Sequence, residues 1–485
     1  MNDLAEHALR ALDAGRRKLI AHPLPALAGA GFACAALVVV TGGRIGASPS
    51  TVPLDGWLGL QPTERPGSTA LLGSLMFGGI VALLLLWVVT VLLLHRRTYP
   101  PRTPWALAAV WGAPLALGPP VLSPDIYLNA GRGLLAARGF DPYRVGVNAL
   151  GNIPLLNAVD PAWRSAPSTA GPLGTLLQHA VAFLGGDNAI GTVIGLRLIG
   201  VGAVIGIGLL AAELAGPLRS TGLGLTVLNP ALLLLVVNGA HLDGVLGVLL
   251  LGALLASSQR RRVLAVVLVC AAAALKPVAL VAVLAVLIAH ATGRRDRVSW
   301  QIAARDGALA AVCLVGFTFA VPDGLGWVRN LPTVVREHLP FAPSSVLSEV
   351  IGPMVPSASF DDLQAGGRVT VVLAAVVIIA WLLATTRHRT LDRTVGYALL
   401  TAAVLAPVVY PWYLLWAVCC LAPAAVGIRR DWVVALSAVA CVLTPSGFAT
   451  ATAEHVTLAA LLLVGLALLP TLVTHSARRR RVSGV

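Results

Sequence analysis

Long apolar runs, separated by short polar segments, set the pattern of this chain. Neither the strict alternation of half-buried strands nor the one-sided stripe of surface helices recurs. About 20 consecutive apolar residues cross a bilayer as a helix, and such runs lie near 26–46, 69–94, 104–122, 188–215, 220–238, 241–258, 262–291, 302–321, 368–386, 393–409, 411–427, 431–445 and 455–474. The run 262–291 is broken at Pro277, so it counts as one span or as two half-helices. The apolar piece 172–184 is too short to cross comfortably and is expected to be a juxtamembrane or re-entrant helix. Met1–His22 is polar with helical spacing and no cleavage site, which predicts an uncleaved cytoplasmic helix. The expected fold is an all-α polytopic membrane protein with about 13 to 14 transmembrane helices. Its expected divisions are a cytoplasmic helix over 1–25, three spans over 26–122, a long external loop over 123–187, a transmembrane core over 188–321, a second external loop over 322–367, and C-terminal spans with a basic tail over 368–485.

Composition agrees with a bilayer as the main solvent. The chain is 57% hydrophobic and 12% charged, with a mean hydropathy of +0.84. A net charge of +14 would suit nucleic acid if it were clustered on one soluble face. Instead the basic residues cap apolar runs. With 172–184 outside the membrane, 24 of the 35 fall on one side and 9 on the other, with Arg197 and Lys276 inside spans. The positive-inside rule makes the richer side cytoplasmic, so both termini are expected inside a plasma membrane and both long loops outside. The partners expected from this are lipids and no nucleic acid. The six cysteines lie in or beside apolar segments, which argues against structural disulfides and a cysteine metal site.

Four places combine polar chemistry with membrane depth. Asp125 opens the first long loop, where a span leaves the bilayer at the level of lipid phosphates, with Tyr127 and Arg132 following at helical spacing. A Pro-Asp pair also serves as a helix cap, and spacing alone leaves both roles open. His241 and Asp243 sit in a short turn between two strongly apolar runs, where ionisable groups are costly and each needs a partner. Lys276 interrupts the apolar run just before Pro277 and either meets a substrate anion or pairs with an acid such as Asp243. Tyr410 and Trp412, in Tyr410-Pro411-Trp412-Tyr413-Leu414-Leu415-Trp416, form an interfacial aromatic belt or stack on a sugar or lipid chain. No Walker loop, GxGxxG, HExxH or CxxC is present, and no carboxylates pair at ligand spacing, so no nucleotide, metal or other cofactor is expected.

The order of these motifs resembles a known family. Asp125-Ile126-Tyr127, then Ala137-Arg138-Gly139-Phe140-Asp141-Pro142-Tyr143, Gly171-Pro172-Leu173, Leu228-Asn229-Pro230, Gly239-Ala240-His241-Leu242-Asp243, Ala274-Leu275-Lys276-Pro277 and Tyr410-Pro411-Trp412-Tyr413 are similar to those of the actinobacterial polyprenol-phosphomannose-dependent α-1,6-mannosyltransferases. The chain departs from them at Ala170, where a tyrosine often stands, and at Leu128-Asn129, where an aromatic often does. The resemblance covers about residues 120–420. It implies a GT-C glycosyltransferase fold, a polyprenyl-phosphate-linked sugar donor and a lipid-anchored mannan acceptor of the lipomannan and lipoarabinomannan backbone. It further implies Asp125 as general base of one inverting displacement, Lys276 with His241 or Arg132 at the leaving phosphate, and Asp243 as an orienting acid. Two alternatives stay open on the residues alone. One is transfer of another polyprenyl-linked sugar, such as arabinofuranose or glucose. The other is a secondary transporter or lipid flippase, for which the long aromatic and acidic loop 123–187 would be unnecessary.

Overall fold

The computed structural model describes residues 23–45, 57–60, 68–97, 99–292, 298–335, 342–355 and 359–443. The expected N-terminal helix and the run 455–474 lie outside the described residues. Among those described the chain is helical, with no strand. Helices α1 (Leu24–Ile45), α2 (Ser68–Arg96) and α3 (Arg102–Leu117) precede α4 (Asp125–Ala137) and α5 (Pro172–Leu184), which belong to the first long loop. Then come α6 (Ala189–Ala215), α7 (Asp243–Ser258), α8 (Arg262–Leu275), α9 (Leu280–Thr292) and α10 (Trp300–Phe319). The second long loop supplies α11 (Gly326–Val335) and α12 (Pro343–Ile351), and the chain continues in α13 (Phe360–Ala384), α14 (Leu391–Val404), α15 (Leu414–Leu421) and α16 (Ile428–Val442).

Among the described residues, five helices are each long and apolar enough to cross a membrane, and a sharply bent pair, Leu232–Asn238 with α7, makes a sixth candidate. What they expose confirms the solvent. Only 11% of the apolar window of α10 is buried, leaving Val312, Val315 and Phe319 open, and α13 exposes Val376, Val377 and Trp381. Apolar faces of this extent need hydrocarbon around them. The protein is therefore a polytopic helical membrane protein.

Two runs differ from the sequence expectation. The run 220–238 is not one helix: it breaks between Arg219–Leu225 and a π-helical turn, Leu232–Asn238. Pro230 cannot donate to the ladder, and Asn229 satisfies the freed groups by accepting from Ala231 N and donating to Leu225 O and Ser437 Oγ. The run 411–427 begins as a 3₁₀ turn, Pro411–Tyr413, and its helix ends at Leu421. By contrast, the piece 172–184 is a separate 13-residue helix, as its length predicts.

The main core fills the space among the long helices, and a smaller one lies under the first loop, built from Ile126, Tyr127, Leu134, Leu135, Val147, Leu155 and Ala182. α4 packs its apolar face on that second core, so its other face, Asp125, Asn129 and Arg132 at helical i, i+4, i+7 spacing, is turned away from it. The second loop docks on the first through Asn330, whose Nδ2 donates to Tyr143 O and Ser168 O at 3.0 and 2.8 Å.

The link from α3 to α4 determines where Asp125 sits. The carbonyls at the end of α3 have no helical partners. Arg197 on α6 donates to Leu115 O, Ala116 O and Gly118 O at 2.8, 2.9 and 3.0 Å. Asn238 donates to Leu115 O and Pro119 O while accepting from Val121 N. Arg197 and Asn238 are themselves buried. Asn238→Ala orphans several of these groups at once and should lower stability by about 3 kcal/mol, read as a fall in the thermal unfolding temperature of detergent-purified protein. A variant that unfolds with the wild type would show that the link holds itself.

Candidate active site

Four elements end around one cavity. α4 supplies Asp125, Asn129 and Arg132, α5 supplies Gln178, the turn before α7 supplies His241 and the first residue of α7 is Asp243, and the break between α8 and α9 supplies Lys276. The segment 406–416 closes it with Tyr410, Trp412, Tyr413 and Trp416. The cavity measures about 470 Å³, within the range of small-molecule sites.

Asp125 is the first residue of α4, and its backbone N–H donates to Ser123 Oγ at 3.2 Å. No side-chain cap bond is made at this helix start. The carboxylate is therefore not the cap that its Pro-Asp context allows. Its side chain is 30% exposed, and His241 Nδ1 stands 3.8 Å from Oδ2. His241 in turn stacks on Trp412 at 4.0 Å between ring centroids, and Trp412 stacks on Tyr410 at 4.8 Å.

Asp243 begins α7 and likewise caps nothing. Lys276 Nζ donates to both of its oxygens at 2.8 Å, and Trp416 Nε1 donates to Oδ1 at 2.5 Å. The carboxylate is 1% exposed, whereas the Lys276 side chain is 26% exposed. The pairing that the sequence leaves as an alternative for Lys276 is thus present, and the ammonium still faces the cavity. The break makes this possible. The residue before a proline is driven out of the α region, and Lys276 is extended at φ −139°, ψ 118°. Its Nζ lies 5.7 Å from the ring centroids of both Tyr413 and Trp416.

Gly171 and Gly133 let the walls close. A Cβ on Gly171 would stand 2.2 Å from Ala274 O, and one on Gly133 would stand 2.3 Å from Gln178 O. No larger residue fits either crossing, so α5 lies directly against both the Lys276 segment and α4. Burial pulls the Arg132 guanidinium down to about 10, with the nearby Asp125 charge opposing the shift. Burial pushes the Tyr143 phenol, bonded to Thr175 and Ala170 O behind this wall, up to about 12.

Of the residues singled out from sequence, Asp125, Arg132, His241, Asp243, Lys276, Tyr410 and Trp412 line this one cavity. Tyr127 does not. It lies in the second core, its hydroxyl accepting from Trp57 Nε1 at 3.0 Å, because two residues on from Asp125 and two back from Asn129 is the opposite face of a helix. Gln178 and Trp163, which also line the cavity, go unmarked in the sequence. The available signal for Gln178 is that it is a polar residue inside the apolar helix 172–184.

A polytopic helical membrane protein whose broken helices and loop helix enclose carboxylates, cations and stacked aromatic rings has the make-up of a membrane-embedded enzyme. Residues 28–292 match the family model of the alpha-(1->6)-mannopyranosyltransferase N-terminal domain, and residues 349–473 match the MptB C-terminal domain. The chain belongs to this mannosyltransferase family. It is 28% identical to alpha-(1->6)-mannopyranosyltransferase A of Mycobacterium tuberculosis over 418 residues, 81% of this chain and 79% of that one. It is 26% identical to a probable alpha-(1->6)-mannopyranosyltransferase of Mycolicibacterium smegmatis, over 81% of this chain and 78% of that protein. Against alpha-(1->6)-mannopyranosyltransferase B of Corynebacterium glutamicum the identity is 27%, over 64% of this chain and 57% of the relative.

Proposed function

We propose that this chain moves mannose from polyprenyl-phosphate-mannose to a growing, lipid-anchored mannan, making the α-1,6 backbone of lipomannan and lipoarabinomannan on the outer face of the plasma membrane. The observation that carries the reading is that Asp125 and Lys276 open onto the same cavity. A sugar hydroxyl is a weak nucleophile, so a carboxylate must take its proton as the new bond forms. The acceptor oxygen attacks the anomeric carbon, its proton passes to Asp125, and the bond from that carbon to the phosphate oxygen breaks. Polyprenyl phosphate leaves with its added negative charge beside Lys276. One displacement inverts a β-mannosyl phosphate into an α-linkage.

Asp243 and Trp416 hold Lys276 in place, and His241 lies against the base. The reaction needs neither nucleotide nor metal, because the sugar–phosphate bond of the donor carries the driving force. The scaffold is the GT-C fold with 13 or 14 spans, both termini cytoplasmic and the loops 123–187 and 322–367 outside. The charge asymmetry of the loops supports this orientation.

Purified protein given radiolabelled polyprenyl-phosphomannose and a short α-mannoside should yield an acceptor longer by one α-1,6-linked mannose, identified by linkage analysis. Label that stays on the lipid, or a product with another sugar or linkage, would remove the proposal.

A further inference from the structure

The wall of the cavity formed by α4 and α5 carries unspent hydrogen-bonding capacity. Arg132 is 8% exposed and Gln178 is 1% exposed. Arg132 Nε and Nη2 and Gln178 Oε1 are buried without a partner, while Gln178 Nε2 is engaged with Asn129 Oδ1 at 2.9 Å. Buried polar atoms without partners are costly, and all three belong to residues lining the cavity. The unspent set is mixed: two donor nitrogens, carrying three N–H groups between them, and one carbonyl acceptor.

That mixture selects the chemistry of the occupant. A phosphate offers acceptors only, so it would satisfy Arg132 and leave Gln178 Oε1 facing another oxygen. A sugar hydroxyl both donates and accepts, so neighbouring hydroxyls of one ring answer both residues. Position selects which sugar. Arg132 lies seven residues after Asp125 on the same face of α4, about 10 Å along the axis. In an inverting displacement the nucleophile and the leaving phosphate stand on opposite sides of the anomeric carbon, so the acceptor approaches on the side of the base. Beside Lys276 the cavity is lined by its apolar chain neighbours Pro277 and Val278, which suit a prenyl chain.

Resting on the proposed transferase reading, we infer that Arg132 and Gln178 form the acceptor subsite, where they bind ring hydroxyls of the α-mannoside that receives the new sugar, and that Arg132 is not a donor-phosphate ligand. Asn129 positions Gln178 through its side-chain bond. A site built to bond hydroxyls rejects an analogue lacking them, because its own groups are then left unpaired.

The test uses the full-length protein in detergent or nanodiscs, with Gln178→Leu and Arg132→Lys variants and α-mannosides lacking single ring hydroxyls. Gln178→Leu should raise the acceptor KM about tenfold or more, leave the donor KM within about twofold, and erase the wild-type discrimination against one deoxy-mannoside. Arg132→Lys, which keeps the charge and loses the fork, should do the same for a different deoxy position. A rise in donor KM, or unchanged discrimination among deoxy acceptors, overturns the subsite and leaves the transferase intact. If the wild type transfers no mannose, the transferase reading fails. The subsite is then decided by titrating the α-mannoside against tryptophan fluorescence: binding that Gln178→Leu weakens supports it, and no binding or equal binding ends it. Retained wild-type unfolding temperatures in both variants separate these effects from misfolding.

Discussion

Asp125→Asn should lower kcat by about 10²–10⁴-fold while the protein unfolds at the wild-type temperature. The asparagine keeps the shape of the side chain and loses only its ability to accept a proton. The fold leans little on the charge: the carboxylate makes no cap bond at the start of α4, His241 Nδ1 is 3.8 Å away, and its effect on the buried Arg132 is through space. The helix start is held instead by Ser123 Oγ, and the strand of chain leading to it by Arg197 and Asn238. Single-turnover transfer from radiolabelled donor is the measurement. Wild-type turnover in this variant would mean that the proton leaves by another route and that Asp125 is not the base.

The second large effect concerns the buried pair. Lys276→Met strips Asp243 of its cation and leaves a carboxylate of 1% exposure held only by Trp416 Nε1. Removing one partner of a buried pair costs about 3–5 kcal/mol, and the low end applies because Lys276 is partly open to the cavity. The double variant Lys276→Met with Asp243→Leu removes both charges and should recover most of that stability. It should not recover transfer. kcat/KM for the donor should stay roughly 10²–10³-fold down in both variants, since the departing phosphate has lost its positive partner. Recovery of transfer together with stability would make the pair a structural strut, and unchanged donor kinetics in Lys276→Met alone would take the lysine out of the reaction.

Pairing with Asp243 and facing the substrate are compatible roles for Lys276. An ammonium that carried its charge into the membrane alone would be expensive. Held by two carboxylate oxygens, it still presents donor capacity to the cavity, and the Tyr413 and Trp416 rings at 5.7 Å add to its stabilisation. The departures of this chain at Leu128-Asn129 fall on the same wall as Arg132, with Asn129 holding Gln178.

Hydropathy alone determined that this chain lives in a bilayer and where most of its long apolar helices lie, and it marked 172–184 as a short helix of its own, because these follow from the length of apolar runs and the thickness of hydrocarbon. Isolated ionisable residues at membrane depth marked Asp125, His241, Asp243 and Lys276, since the cost of placing charge there is local and visible in one dimension. Tertiary structure decided the rest. Pro230 breaks the run 220–238 locally, but one of the side-chain bonds that Asn229 makes at the break reaches Ser437, more than 200 residues away. The face of α4 taken by Tyr127, and therefore its exclusion from the cavity, depended on a second core assembled from separate loops. Gln178 acquired its place only through the close crossing at Gly133. Contacts between distant segments carry no periodic signature, so a cavity bounded by five of them exists only once the chain has packed.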